Sequence, residues 1–108
     1  MAKKTIPETV RKKVVDYAMT LRASGLPITN MYVFGSTARG TRRFASDIDL
    51  CVISSKFRTM KDPLAFLWTK RDDRHLGIEP VGYTPQEFQS GVDPLSVEVK
   101  KTGVRVAV

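Results

Sequence analysis

Val33-Phe-Gly-Ser-Thr-Ala-Arg-Gly-Thr-Arg-Arg-Phe-Ala-Ser-Asp-Ile-Asp-Leu50 is the stretch on which the reading of this chain turns. Upstream of it, residues 28–34 are apolar and rich in β-formers, and predict a strand. Gly35-Ser36 interrupts that strand. A basic connection, 37–46, follows and predicts a short helix and a loop. Residues 47–54 then read as a second strand, apolar enough to be central. Side chains alternate faces along a strand, so Asp47 and Asp49 point the same way, while Ile48 and Leu50 point into a core. Two neighbouring carboxylates in an apolar strand repel each other, and burying them unpaired is costly. A divalent cation resolves that cost. Mg²⁺ takes oxygen ligands, commonly one or two carboxylates together with substrate phosphates and water.

Gly35 permits close approach of the backbone to a ligand. If a short helix starts at Ser36, its free N–H groups face any anion lying there, and the Ser36 hydroxyl adds a donor. Glu79 is a lone acid among apolar residues in a third predicted strand, 77–83. Should that strand neighbour the second, Glu79 reaches the same centre, either as a further metal ligand or as the group that takes a proton from an attacking hydroxyl. Each feature has a plainer alternative. Gly-Ser is a common turn, Asp-x-Asp is a common cap or solvated loop, and Glu79 fits an edge strand. Their combination in one order is what carries the chemistry. Arg39, Arg42 and Arg43 lie between the phosphate cradle and the carboxylates. They are read either as phosphate contacts or as a solvated basic loop, and Arg39 alternatively as a partner for a local carboxylate.

Working outward, 5–25 predicts a helix. Thr5 and Glu8 have capping-box spacing, Pro7 sits in the first turn, and Val10, Val14, Ala18 and Leu21 form one apolar stripe. Asp62-Pro63 starts a helix running to about 75 whose buried face is Leu64, Leu67 and Trp68, with a partner-docking face as the alternative. Asp72 and Asp73 are placed on that helix's surface, as competitors of Glu79, and His75 at its cation-friendly end. Thr84 with Glu87, and Asp93-Pro94, start two further short helices. Gly103 stops the second, and 104–108 adds an edge strand. Cys51 shares the face of Asp47 and Asp49 and is read as a small buried residue. The order α-β-α-β-α-β-α-α-β predicts an α/β (α+β) fold, a small mixed sheet of about four strands flanked by helices.

The 108 residues fit a single domain, and 42% hydrophobic with 27% charged residues excludes a disordered or fibrous chain. One cysteine rules out an internal disulfide and fits a reducing compartment. With no signal-like or membrane-length apolar run, the expected location is the cytoplasm and no membrane partner is expected. The net charge of +7 fits either a lysine-rich soluble surface or attraction to nucleotide, RNA or an acidic partner.

Gly35-Ser36, ten residues, then Asp47-Ile48-Asp49 resembles the signature of the nucleotidyltransferase superfamily that includes DNA polymerase beta and kanamycin nucleotidyltransferase. The closest likeness is to the minimal nucleotidyltransferases, MNT. Ala38-Arg39-Gly40 and the segments 78–88 and 100–104 are also family-like, so the resemblance covers nearly the whole chain. It implies a polymerase beta-like fold and transfer of a nucleotidyl group, with ATP as substrate and Mg²⁺ as cofactor. It implies that Gly35 and Ser36 hold the triphosphate and that Asp47, Asp49 and Glu79 are the catalytic, metal-holding acids; Arg39 and Arg43 are expected as nucleotide contacts from their loop position alone. It also implies a partner: such proteins pair with helical HEPN-type ribonuclease toxins, and some act as antitoxins that adenylylate a toxin tyrosine. The rival readings are a non-catalytic binding antitoxin subunit, and an RNA-binding or RNA-directed nucleotidyltransferase.

Overall fold

The structure is a computed structural model and describes residues 6–39 and 47–108. Along the chain run α1 (Glu8–Ala23), β1 (Asn30–Phe34), α2 (Ser36–Arg39), β2 (Ile48–Ile53), α3 (Pro63–Thr69), β3 (Ile78–Tyr83), α4 (Pro85–Ser90), α5 (Pro94–Thr102) and β4 (Val104–Val106). Two 3-10 turns, Ser55–Arg58 and Asp73–His75, flank α3. The expected mixed α/β order is therefore present. The four strands form one sheet in the order β3-β2-β1-β4. β1 is antiparallel to both β2 and β4, whereas β2 and β3 are parallel. The parallel pair requires a long crossover, which α3 and its flanking turns supply.

Alternation along β2 divides the core. Leu50 and Val52 face α1, where they join Val10, Val14, Tyr17, Ala18 and Leu21. Cys51 and Ile53 face the opposite side with Phe34, Tyr83, Phe88 and Val99. Each fully buried aliphatic side chain here stabilises the fold by about 1.5–3 kcal/mol. The α1 stripe is the predicted one widened by Tyr17, whose buried hydroxyl donates to the Leu67 carbonyl at 2.6 Å. Burial raises the Tyr17 phenol above its ordinary pKa, so it stays a neutral donor.

β3 is an edge strand, yet its outer rim is partly covered. Ile48 N–H donates to the Gly77 carbonyl and Ser54 N–H to that of Tyr83, so the odd-numbered residues of β3 bond inward. Pro80 consequently turns its missing N–H outward, where no ladder bond is lost. Trp68 Nε1 donates to the Pro80 carbonyl at 3.0 Å, and Arg71 Nη1 to that of Ile78 at 2.9 Å. The Arg71 guanidinium lies 4.1 Å from the Trp68 ring centroid.

Several expectations need correction. α1 begins at Glu8 with Pro7 before it, not in its first turn, and the Glu8 carboxylate is held by Arg11. Thr5, its expected capping partner, lies outside the described residues. The helix expected over 63–75 stops at Thr69. The Asp72 carboxylate accepts the Arg74 N–H, and such a local bond competes with helix continuation. Asp72 and Asp73 therefore belong to a separate turn, with Asp72 paired to Arg74. His75 is fully buried in that turn rather than placed at the end of a helix. Its Nδ1 accepts the Asp72 N–H, its Nε2 lies 3.1 Å from an Asp16 carboxylate oxygen, and its ring meets Tyr17 edge-on. Of the expected buried face of α3 only Leu67 is enclosed; Leu64 is 51% and Trp68 37% exposed. The capping signals further on hold: Thr84 and Glu87 form a capping box, and Asp93 caps α5. No helix among the described residues is long and apolar enough to cross a membrane.

Candidate functional site

The turn between β1 and α2 and the start of β2 meet at one place. Gly35 has φ +74°, a conformation that L side chains rarely adopt. A Cβ built on it would collide with a carboxylate oxygen of Asp49. Both facts require glycine: the chain must reverse there, and it must do so directly against Asp49. Ser36 opens α2 immediately afterwards, so the first N–H groups of that helix follow the contact in sequence. Phe34 pairs with Asp49 across the β1–β2 ladder, which fixes the turn over the carboxylate.

The parallel register brings in the third acid, because Asp49 stands directly beside Glu79. Asp47 lies just ahead of β2 and is exposed, while Asp49 and Glu79 are half-buried. The Glu79 carboxyl is within hydrogen-bonding reach of both Asp47 and Asp49. Its pKa is raised, first by desolvation, then by Asp47 and then by Asp49. Asp49 and Glu79 on adjacent strands, with Asp47 just ahead of β2, thus lie near one another, and Asp49 lies directly against the Gly35 turn. Ile48 and Leu50, between and after the aspartates, are buried on the opposite side of the sheet. Asp72 and Asp73 are exposed in their own turn, Asp72 capping it and paired with Arg74.

An all-oxygen carboxylate set suits a hard cation such as Mg²⁺. Among the described residues no three His, Cys, Asp or Glu side chains are gathered closely enough to hold an ion by themselves. That is compatible with Mg²⁺, which commonly takes only one or two protein carboxylates and completes its shell with phosphate and water. Asp49, with Glu79 beside it on the neighbouring strand and Asp47 just ahead of β2, offers the carboxylate oxygens that such a cation takes.

Arg39 is the last residue of α2; Arg42 and Arg43 fall outside the described residues. Cys51 shares the face of Asp49 but is fully buried, and burial lifts its thiol to about 12. Thr37 is a feature that motif reading passed over. It is buried in α2 next to Ser36, and its hydroxyl has no hydrogen-bond partner among the described residues. Only its position after Gly-Ser hinted at a role.

Comparison with known proteins bears on the family and the fold. The sequence pattern of the family described as "Nucleotidyltransferase domain" matches residues 11–105. A crystal structure from Sulfolobus solfataricus, of a protein assigned to the nucleotidyltransferases, superposes with a TM-score of 0.58 at 19% sequence identity. The match covers 91% of this chain and 76% of that one, and it speaks to the fold. No curated protein matches the sequence.

Proposed function

The chain belongs to the nucleotidyltransferase domain family, and from that premise we propose that it transfers AMP from ATP, with Mg²⁺, to a hydroxyl on a partner protein. The partner on this reading is a HEPN-type ribonuclease toxin, the acceptor one of its tyrosines, and the chain its antitoxin. The observation that carries the chemical part is the meeting of Glu79 with Asp47 and Asp49, the last directly against the Gly35 turn.

Backbone N–H groups at Gly35-Ser36 hold the triphosphate, and the absence of a Cβ at Gly35 lets that turn sit directly against the Asp49 carboxylate. Asp47, Asp49 and Glu79 would hold Mg²⁺, which supplies charge neutralisation at the phosphates when bound. Glu79 stands on the far side of Asp49 from the triphosphate turn. The acceptor oxygen bonds to the α-phosphorus, the bond from that phosphorus to the bridging oxygen breaks, and pyrophosphate leaves. The hydroxyl proton passes to Glu79. Catalysis is mainly positioning and electrostatic stabilisation.

The test is to incubate the chain and a co-purified HEPN-type partner with α-labelled ATP and Mg²⁺, then locate the label by mass spectrometry. The expected result is AMP on a partner tyrosine, lost in the Asp47→Asn/Asp49→Asn variant. Equal absence of label in both proteins, with the complex intact, would support a purely binding antitoxin instead.

A further inference from the structure

An in-line displacement puts the entering hydroxyl opposite the leaving pyrophosphate. Here the triphosphate turn lies on the β1 side of Asp49 and Glu79 lies on the β3 side. The acceptor must therefore arrive over β3, at the rim of the sheet. A groove of about 450 Å³ opens there, between the start of α3, the face of β3 and the start of α5. Its apolar surface includes Met60, Leu64, Val81 and Leu95. Val81 follows Glu79 by two residues and shares its face of the strand, a separation of about 7 Å. Leu64 extends the groove onto the exposed side of α3, towards Trp68 one turn later.

The charge of this groove runs against that of the chain. The protein as a whole carries +7. Yet Asp62, Glu87 and Asp93 all line the groove, and no lysine or arginine is among its described lining residues. Asp62 and Glu87 are exposed while also capping helices, so each keeps oxygen surface for a second partner. Such a wall repels nucleic-acid phosphate and attracts a cation, and its apolar floor suits an aliphatic or aromatic neighbour.

We propose that this groove is the acceptor-docking site, and that it takes an extended polypeptide segment carrying an arginine or lysine about two to four residues from the modified hydroxyl. The proposal rests on the nucleotidyl-transfer reading for which end of the segment faces Glu79, but docking itself is measurable without catalysis. Trp68, the only tryptophan, follows the groove-lining Leu64 by one turn of α3, and its fluorescence serves as the readout.

The experiment titrates the full chain with short synthetic peptides of one tyrosine and one leucine that carry, three positions from the tyrosine, either arginine or glutamate. A single-stranded RNA oligonucleotide is the third probe. The arginine peptide is expected to change Trp68 emission saturably and to bind about fivefold or more tighter than the glutamate peptide. Asp62→Asn/Glu87→Gln keeps the capping acceptors and removes the two exposed charges. It should erase that preference, with thermal melting reporting the integrity of the fold. Leu64→Lys, on the apolar side, should weaken the arginine peptide independently of the caps. Equal binding of the two peptides, tighter binding of RNA that the same variants modulate, or no change in either variant overturns the docking site. Labelled AMP on the tyrosine is scored separately. Selective binding without transfer would count against the reaction and leave the groove standing.

Discussion

Glu79→Gln separates charge from shape at the carboxylate cluster. In the wild type Glu79 stands beside Asp49 on the neighbouring strand and also meets Asp47. Strands lie about 4.8 Å apart. At that separation two like charges repel by about 0.9 kcal/mol in water and about 3.5 kcal/mol at an effective dielectric of 20. Asp47 is exposed and the other two acids are half-buried, so the solvated end of that range applies. Relief of about 1 kcal/mol raises the melting temperature of a domain this size by about 4 °C or somewhat more. The variant should therefore be more stable than wild type in EDTA at pH 7.5. With saturating Mg²⁺ and a non-hydrolysable ATP analogue the order should reverse. A ligand at 100 times its Kd stabilises the wild type by about 2.7 kcal/mol, and the variant has lost a ligand for the ion. Differential scanning fluorimetry, with and without Mg²⁺-nucleotide, reads both effects. A variant no more stable than wild type in EDTA, yet equally stabilised by Mg²⁺-nucleotide, would refute the view that three acids share one cation.

Gly35→Ala should fail twice, through left-handed backbone strain of about 1–2 kcal/mol and through a collision with Asp49; thermal melting reads the first and loss of nucleotide binding the second. Asp72 is held at about 2, first by hydrogen bonding from the Arg74 side chain and then by the Arg74 backbone N–H. A depressed carboxylate contributes stability above its unfolded value near 3.9 and loses it as pH falls through about 2; carbon-detected NMR titration should show that midpoint, moving up towards the ordinary range in Arg74→Ala. Cys51, fully buried and with its thiol raised to about 12, should resist iodoacetamide at pH 8 and react at the rate of global unfolding, as timed labelling in rising urea would show; prompt reaction in the native protein would contradict its burial.

Much of the fold was readable because its signals are local. Period-two alternation put Ile48 and Leu50 inward, and the capping chemistry at Thr84 and Asp93 marked two helix starts within a residue. The failures have local causes too. The 63–75 pattern looked like one helix because Leu64, Leu67 and Trp68 have helical spacing. The Asp72 side-chain bond breaks it, and two of those three residues face solvent. His75 looked like a helix-end charge, since nothing in its neighbours announces that Asp16, 59 residues away, will lie beside it.

The sequence alone determined the chemistry on offer: a Gly-Ser turn, two aspartates two residues apart where an apolar strand begins and a lone glutamate in another apolar run, because residue type and spacing suffice for those. Only the tertiary structure showed that Glu79 stands beside Asp49 and that the Gly35 turn rests on Asp49. It also decided that the sheet opens on an acidic groove beyond β3. Those facts depend on which strands are neighbours and in what register, and pairing between distant segments is set by the packing of the whole core rather than by any short stretch of chain.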